Sequence, residues 1–234
     1  MVNSFQLEYS MFLTGGQFFC VSLKICYNQI RKGENMDKRT LILDALLELI
    51  RADKGAPCTI SDIAKQAGIA KGGIYYYFSS KEEIMDALVE RSYGQVIDHC
   101  QVTIEHVELS ALPKLALLFR SYYASSVEHS LDHYLHESQN AYSHQQSLVF
   151  LLTRLTPIVT SIIEQGIEEG VFTTSFPQEV AEIILADLCF VFDQGLFAWS
   201  KQDLEKKFVA LADFLEKVLA APKDSFAFLH NTSL

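Results

Sequence analysis

Apolar residues recur at three- and four-residue intervals along most of the chain, which is the period of an amphipathic α-helix. Leu41, Ile42, Ala45, Leu46, Leu49 and Ile50 mark one such face and predict a first helix from Lys38 to about Ala52. Ile60, Ile63, Ala64 and Ala67 mark a second. It opens at Thr59, which stands three residues before Asp62 in the spacing of a capping box. Gly68 supplies a sharp turn, and Ile74 and Phe78, with the nearby Ile84, anchor a third helix over roughly Ala70 to Phe78. Longer helices are predicted from Ser80 to about His99, from Leu112 to Val127, and from Leu148 to Glu169 with a kink at Pro157. Two more are predicted from Gln178 to Trp199 and from Asp203 to Leu219. The pattern predicts an all-α fold in which a three-helix N-terminal head joins a larger helical body.

The two ends break this pattern. Residues 1–35 carry Phe5, Phe12, Phe18, Phe19 and the pair Gly15-Gly16 with no steady period. They lack the basic start of a signal peptide, and Gln17, Ser22 and Lys24 interrupt the apolar run, so no membrane span is expected. Met36 opens directly onto a well-formed helix start. The expectation is that Met36 is the natural initiator and that residues 1–35 are a poorly ordered extension. Residues 36–83 read as the three-helix head and residues 84–222 as the larger helical body. Residues 223–234 read as a frayed tail.

Hydrophobic residues make up 49% of the chain, enough for a substantial core. The net charge of −10 is unevenly placed: Met36 to Gln95 holds 8 basic against 9 acidic residues, and Val96 onward holds 8 against 18. An acidic body repels DNA and leaves contact to the head. Five cysteines, an odd number without a CxxC pair, point to reduced thiols and a cytoplasmic setting.

The stretch TISDIAKQAGIAKGGIYYYFSSK, Thr59 to Lys81, has the layout of a DNA-reading helix-turn-helix. Lys71, Gly72 and Gly73 stand at the start of its second helix, where free N–H groups and the helix dipole favour an anion. The glycines weaken that helix by roughly 1 kcal/mol each relative to alanine. They also let the backbone approach a groove wall. Tyr75, Tyr76 and Tyr77 offer hydroxyls to phosphates and rings to sugars or thymine methyls. Lys81, one turn on, is placed for a phosphate.

TISDIAKQAGIAKGGIYYYFSSKEEI, with LILDALLELI before it, resembles the DNA-binding head of the TetR/AcrR family of bacterial regulators over roughly Asp37 to Val89. The resemblance implies base-edge or groove contacts at Ser61, Lys71, Gly72 and Gly73. It implies phosphate contacts at Thr59, Tyr75, Tyr76, Tyr77 and Lys81. Ala70 stands where that family commonly has a capping serine, and Gly73 where it has threonine, serine or alanine. Specificity is therefore expected to lean on DNA shape.

In the body, the two last long helices are apolar over much of their girth, so a second copy of the chain is expected to cover them as a four-helix bundle. Phe119, Tyr122, Tyr123, Leu151, Leu155 and Phe192 are candidate walls of a pocket for a hydrophobic small-molecule effector. A second reading places His129, His133 and His136, at i, i+4 and i+7, around a divalent metal in a metal-responsive regulator. No HExxH, GxSxG, P-loop or GxGxxG motif occurs, so neither an enzyme nor a cofactor is expected. The expected partners are a palindromic double-stranded operator, a second subunit and the effector.

Overall fold

The computed structural model describes residues 37–52, 58–105, 107–124 and 129–231. The expectations for residues 1–35 and for initiation at Met36 lie outside these. The described residues from Lys38 onward belong to one compact unit. Among them every regular element is helical: α1 (Lys38–Ala52), α2 (Ile60–Ala67), α3 (Lys71–Ile74), α4 (Lys81–Glu105), α5 (Ala111–Ala124), α6 (His129–Leu135), α7 (Ala141–Glu168), α8 (Pro177–Phe190) and α9 (Lys201–Val218). Short 3₁₀ turns lie at Ser138–Asn140 and Ala227–Asn231.

The head closes around Ile42, Leu46, Ile63, Ile74, Phe78, Ile84 and Leu88, all buried. Each such side chain contributes about 1.5–3 kcal/mol by leaving water. These positions come from α1 to α4 and, for Phe78, from the turn between α3 and α4, so the first turns of α4 complete the head core. Farther along, α4 packs on α5 and α7. Two ion pairs fix it at either end of this course: Arg91 to Asp44 of α1 and Asp98 to Arg154 of α7, both at 2.9 Å. α6 lies against α1. Its Tyr134 is buried and accepts a hydrogen bond from Lys81 Nζ at 3.3 Å.

α7 is apolar and long enough to pass for a membrane span by composition. Its Leu151, Leu155, Val159, Ile162 and Ile163 are nevertheless buried, and α4, α5 and α8 pack on it. It begins earlier than predicted and continues through Pro157.

α8 departs from expectation. The predicted helix from Gln178 to Trp199 ends at Phe190, although the apolar run continues through Val191 and Phe192. The Asp193 carboxylate accepts hydrogen bonds from the backbone N–H of Gly195 (2.8 Å) and Leu196 (3.1 Å), which turns the chain. Beyond the turn, the Trp199 indole N–H donates to the Val191 carbonyl at 2.8 Å, its ring stacks on Phe197, and the Lys207 ammonium sits 3.9 Å above it. Ser200 then caps α9.

Residues 223–231 do not fray. Phe226 and Leu229 are buried, and Phe226 stacks on Phe172 with ring centroids 6.1 Å apart. Phe228 packs there too, edge-on to Phe119 at 6.2 Å, so three apolar residues fold the tail back onto the body.

Candidate DNA interface and effector cavity

At the head, Thr59 and Asp62 close the predicted capping box. The Thr59 hydroxyl accepts from the Asp62 N–H at 3.3 Å, and the Asp62 carboxylate accepts from the Thr59 N–H at 2.8 Å. The Thr59 hydroxyl donates to that carboxylate at 2.7 Å, and this bond, with the one from the Thr59 N–H, holds the Asp62 carboxyl below the usual carboxylate range. Gly68 ends α2 in the left-handed conformation, φ 67°, with its N–H directed at the Ala64 and Lys65 carbonyls.

α3 is shorter than the predicted Ala70 to Phe78. Only Lys71–Ile74 is helical, and Tyr75 to Tyr77 continue as turns. Ala70 offers no side-chain cap, and the adjacent Gly72 and Gly73 weaken the helix they begin. The segment is held from below by the buried Ile74 and Phe78, with the Arg39 guanidinium 5.0 Å over the Phe78 ring.

Thr59, Ser61, Lys71, Gly72, Tyr75 and Tyr76 are all exposed, Tyr76 by 83%. Gly73 and Tyr77 are half-buried, and Tyr77 meets Tyr76 edge-on at 4.9 Å. A lysine, glycines and tyrosine rings thus stand out from an apolar root. Lys81 is different: it is half-buried and directed at Tyr134 of α6.

The body encloses a cavity of about 780 Å³, within the usual size of ligand sites. Phe119, Tyr122, Leu151, Leu155 and Phe192 line it, as do Leu211, Leu215 and Leu229. The Tyr123 side chain lies outside the described residues. Most of the wall is apolar, but one end is not; the histidine spacing singled out His133 and His136 there, as metal ligands, and nothing in the sequence joined them to Tyr93 or Asp193. There Tyr93 (α4), His136 (after α6), His144 and Ser147 (α7) and Asp193 (after α8) meet. The exposed lining residues, Asp132, His133, Gln194 and Gly195, belong to this same end, so the cavity opens there.

Asp193 is the hub. Its carboxylate accepts from His136 Nε2 at 2.7 Å and lies 3.1 Å from His144 Nε2, in addition to the two backbone N–H groups of its turn. Burial alone raises a carboxyl; here the two histidines outweigh it and hold Asp193 far below its ordinary value. His136 also donates from Nδ1 to the Asp132 carbonyl at 2.7 Å. Its bond to Asp193, opposed by burial and helped by Asp132, lifts its pKa to about 9, so it is cationic at neutral pH. Gly195 makes room for the ring: a Cβ there would stand 1.9 Å from the His136 side chain. Tyr93 donates to Asp132 at 3.4 Å, and burial, reinforced by Asp132, pushes its hydroxyl pKa up.

The histidine face of the metal reading does not converge. The His129 side chain lies outside the described residues. His133 is 71% exposed and only reaches Glu137 at 3.8 Å, and His136 turns inward to Asp193. Positions i, i+4 and i+7 share one face only within a continuous helix, and the short α6 ends before His136. His136, His144 and Asp193 do bring donor types of a metal site within 4.8 Å of one another. In this structure His136 Nε2 meets the Asp193 carboxylate at hydrogen-bond distance, 2.7 Å, with His144 Nε2 beside it at 3.1 Å.

A family model for bacterial regulatory proteins of the tetR family matches residues 42–88, and one for the tetracyclin repressor-like C-terminal domain matches residues 123–214. The chain is 27% identical over 183 residues to a fatty acid metabolism regulator protein of Bacillus subtilis, covering 77% of this chain and 92% of the relative. Among solved structures it is similar to the transcriptional regulator FadR of Bacillus subtilis in complex with stearoyl-CoA. That match has a TM-score of 0.54 at 25% identity, over 82% of this chain and 97% of that one. It also shares its fold with a TetR-family regulator of Syntrophomonas wolfei, with a TM-score of 0.58 at 22% identity, over 86% and 98% of the two chains.

Proposed function

Since the chain belongs to the TetR family of bacterial regulatory proteins, which regulate transcription by binding DNA, we propose that it is a homodimeric repressor released from its operator by a ligand with a long acyl chain. The observation that carries the ligand class is the cavity, apolar through its depth and open at one polar end, in a chain similar to a regulator solved with stearoyl-CoA. The reaction is binding alone. No catalytic role and no cofactor are assigned, and the protein acts in the cytoplasm away from membranes.

Ser61, Lys71, Gly72 and Gly73 meet the groove, and Thr59, Tyr75, Tyr76 and Tyr77 meet phosphates. Lys81 serves the same backbone from a position it shares with Tyr134. α8 and α9 leave Ile183, Phe190, Val209 and Phe214 exposed, an apolar face suited to a second copy. The twofold pairing brings two heads to half-sites about 34–36 Å apart. By linkage, a ligand that releases the operator binds the free protein more tightly than the DNA-bound one.

Fluorescence anisotropy with the fragment upstream of the protein's own gene tests this. Lys71→Ala should change preference among sequence variants of the site by about 1–3 kcal/mol. Long-chain acyl-CoA should release the wild type where short-chain acyl-CoA does not. Indifference to every chain length would remove the acyl ligand.

A further inference from the structure

Resting on the acyl ligand of the proposed function, we infer that the C-terminal tail is the floor of the cavity, and that Phe226 sets the longest acyl chain the protein accepts. The cavity meets solvent at its polar end, and the tail helps to close the other.

α7 gives the depth. Its lining residues run from His144, beside the mouth, to Ile163, and at about 1.5 Å per residue that stretch spans about 28 Å. A saturated chain advances roughly 1.3 Å per carbon at ordinary bond lengths and angles. With about 4 Å left for contact at the closed end, roughly 18 or 19 carbons fill the depth.

The far end is sealed. The Thr173 N–H donates to the Leu219 carbonyl at 2.7 Å, which ties the end of α9 to the link between α7 and α8. Ile163, Leu219 and Phe226 line the cavity there and are exposed by only 0%, 0% and 2%, against the exposed Asp132 and Gln194 at the mouth.

Phe226 is the layer between this end and the solid core. It lines the cavity on one side and stacks on the buried Phe172 on the other. Phe172 in turn fills the space over Gly166, where even a Cβ would collide with its ring. The Phe226 ring therefore has nowhere to retreat before a longer ligand. The backbone beneath it is committed as well. After α9 the chain turns back through Ala220 (φ 49°) and Asp224 (φ 65°), left-handed conformations that a residue with a Cβ keeps only where its surroundings impose them. The packing of Phe226, Phe228 and Leu229 against the core imposes them here. A chain too long for the depth can only stand out at the mouth, where its surplus methylenes stay in water and add nothing to binding.

The test is release of labelled operator DNA from the full chain by saturated acyl-CoAs from lauroyl- to lignoceroyl-CoA. The concentration for half release should fall by about ten-fold for each pair of methylenes up to stearoyl-CoA. Arachidoyl- and lignoceroyl-CoA should do no better than stearoyl-CoA. Phe226→Ala deepens the floor and should make arachidoyl-CoA about ten-fold more potent than stearoyl-CoA. Phe226→Leu should move that ratio the same way by less, and it carries the test should Phe226→Ala fail to fold. Potency that keeps rising to lignoceroyl-CoA in the wild type, or Phe226 variants with the wild-type profile, overturns the floor while the acyl reading stands. An equal shift in Leu155→Ala, halfway along the α7 wall, overturns the assignment of the limit to the tail. No release at any chain length overturns both readings.

Discussion

The tip proposed to face DNA draws its residues from one stretch, Thr59 to Lys81, whereas the polar end of the cavity draws Tyr93, His136, His144 and Asp193 from separate elements. At the tip, apolar roots such as Ile74 and Phe78 carry the stability, and the exposed Lys71, Tyr75 and Tyr76 are the side chains proposed to meet DNA. The two duties fall on different side chains, so a tip residue can change without loosening the fold. At the cavity the same atoms do both. Asp193 shapes the exit from α8, neutralises His136 and orients His144. A substitution there is felt by everything it touches.

The sharpest break of this contrast is Asp193→Ala. It strands a buried histidinium and two turn N–H groups, and removing one partner of a buried pair costs about 3–5 kcal/mol. Urea unfolding should show a loss of that size, and a loss under about 1 kcal/mol, the range of an exposed pair, would return Asp193 to the ordinary surface. Next in size is the pH dependence. His136 has a folded pKa of about 9 against an ordinary 6.5, so its contribution is complete below 6.5 and is lost as pH rises through about 9. Asp193, held low, works in the other direction and loses its contribution only in strong acid. Stability should fall by roughly 3 kcal/mol as pH rises from 6.5 through about 9, and His136→Gln should flatten that slope in thermal unfolding. The smallest effect belongs to the head. Thr59→Ala removes a solvent-facing cap and should cost about 1 kcal/mol in the same unfolding measurement, with the cavity's ligand affinity unchanged.

Sequence distance decides what can be read in advance. The capping box is legible because Thr59 and Asp62 lie three residues apart and their bond is local. The head core is legible because Ile63, Ile74 and Phe78 repeat at helical intervals. Phe119, Leu151 and Phe192 can be nominated for the cavity on apolarity alone. His144 and Asp193 cannot, because 57 residues separate His136 from the carboxylate it pairs with and no period connects them. The end of α8 is overrun for a related reason. Val191 and Phe192 keep the apolar rhythm, and only the turn chemistry of Asp193 and Gly195 breaks it. The tail is misjudged because Phe226, Phe228 and Leu229 are too few to form a period, yet enough to pack against the core.

Trp199 is the sole tryptophan of the chain, and it sits in the segment that Asp193 turns. Its indole is tethered to Val191, stacked on Phe197 and overlaid by Lys207. Any event that unseats the α8–α9 connection must therefore alter the emission of one fluorophore. The molecule carries its own optical gauge of that joint, readable at native concentration with no label attached.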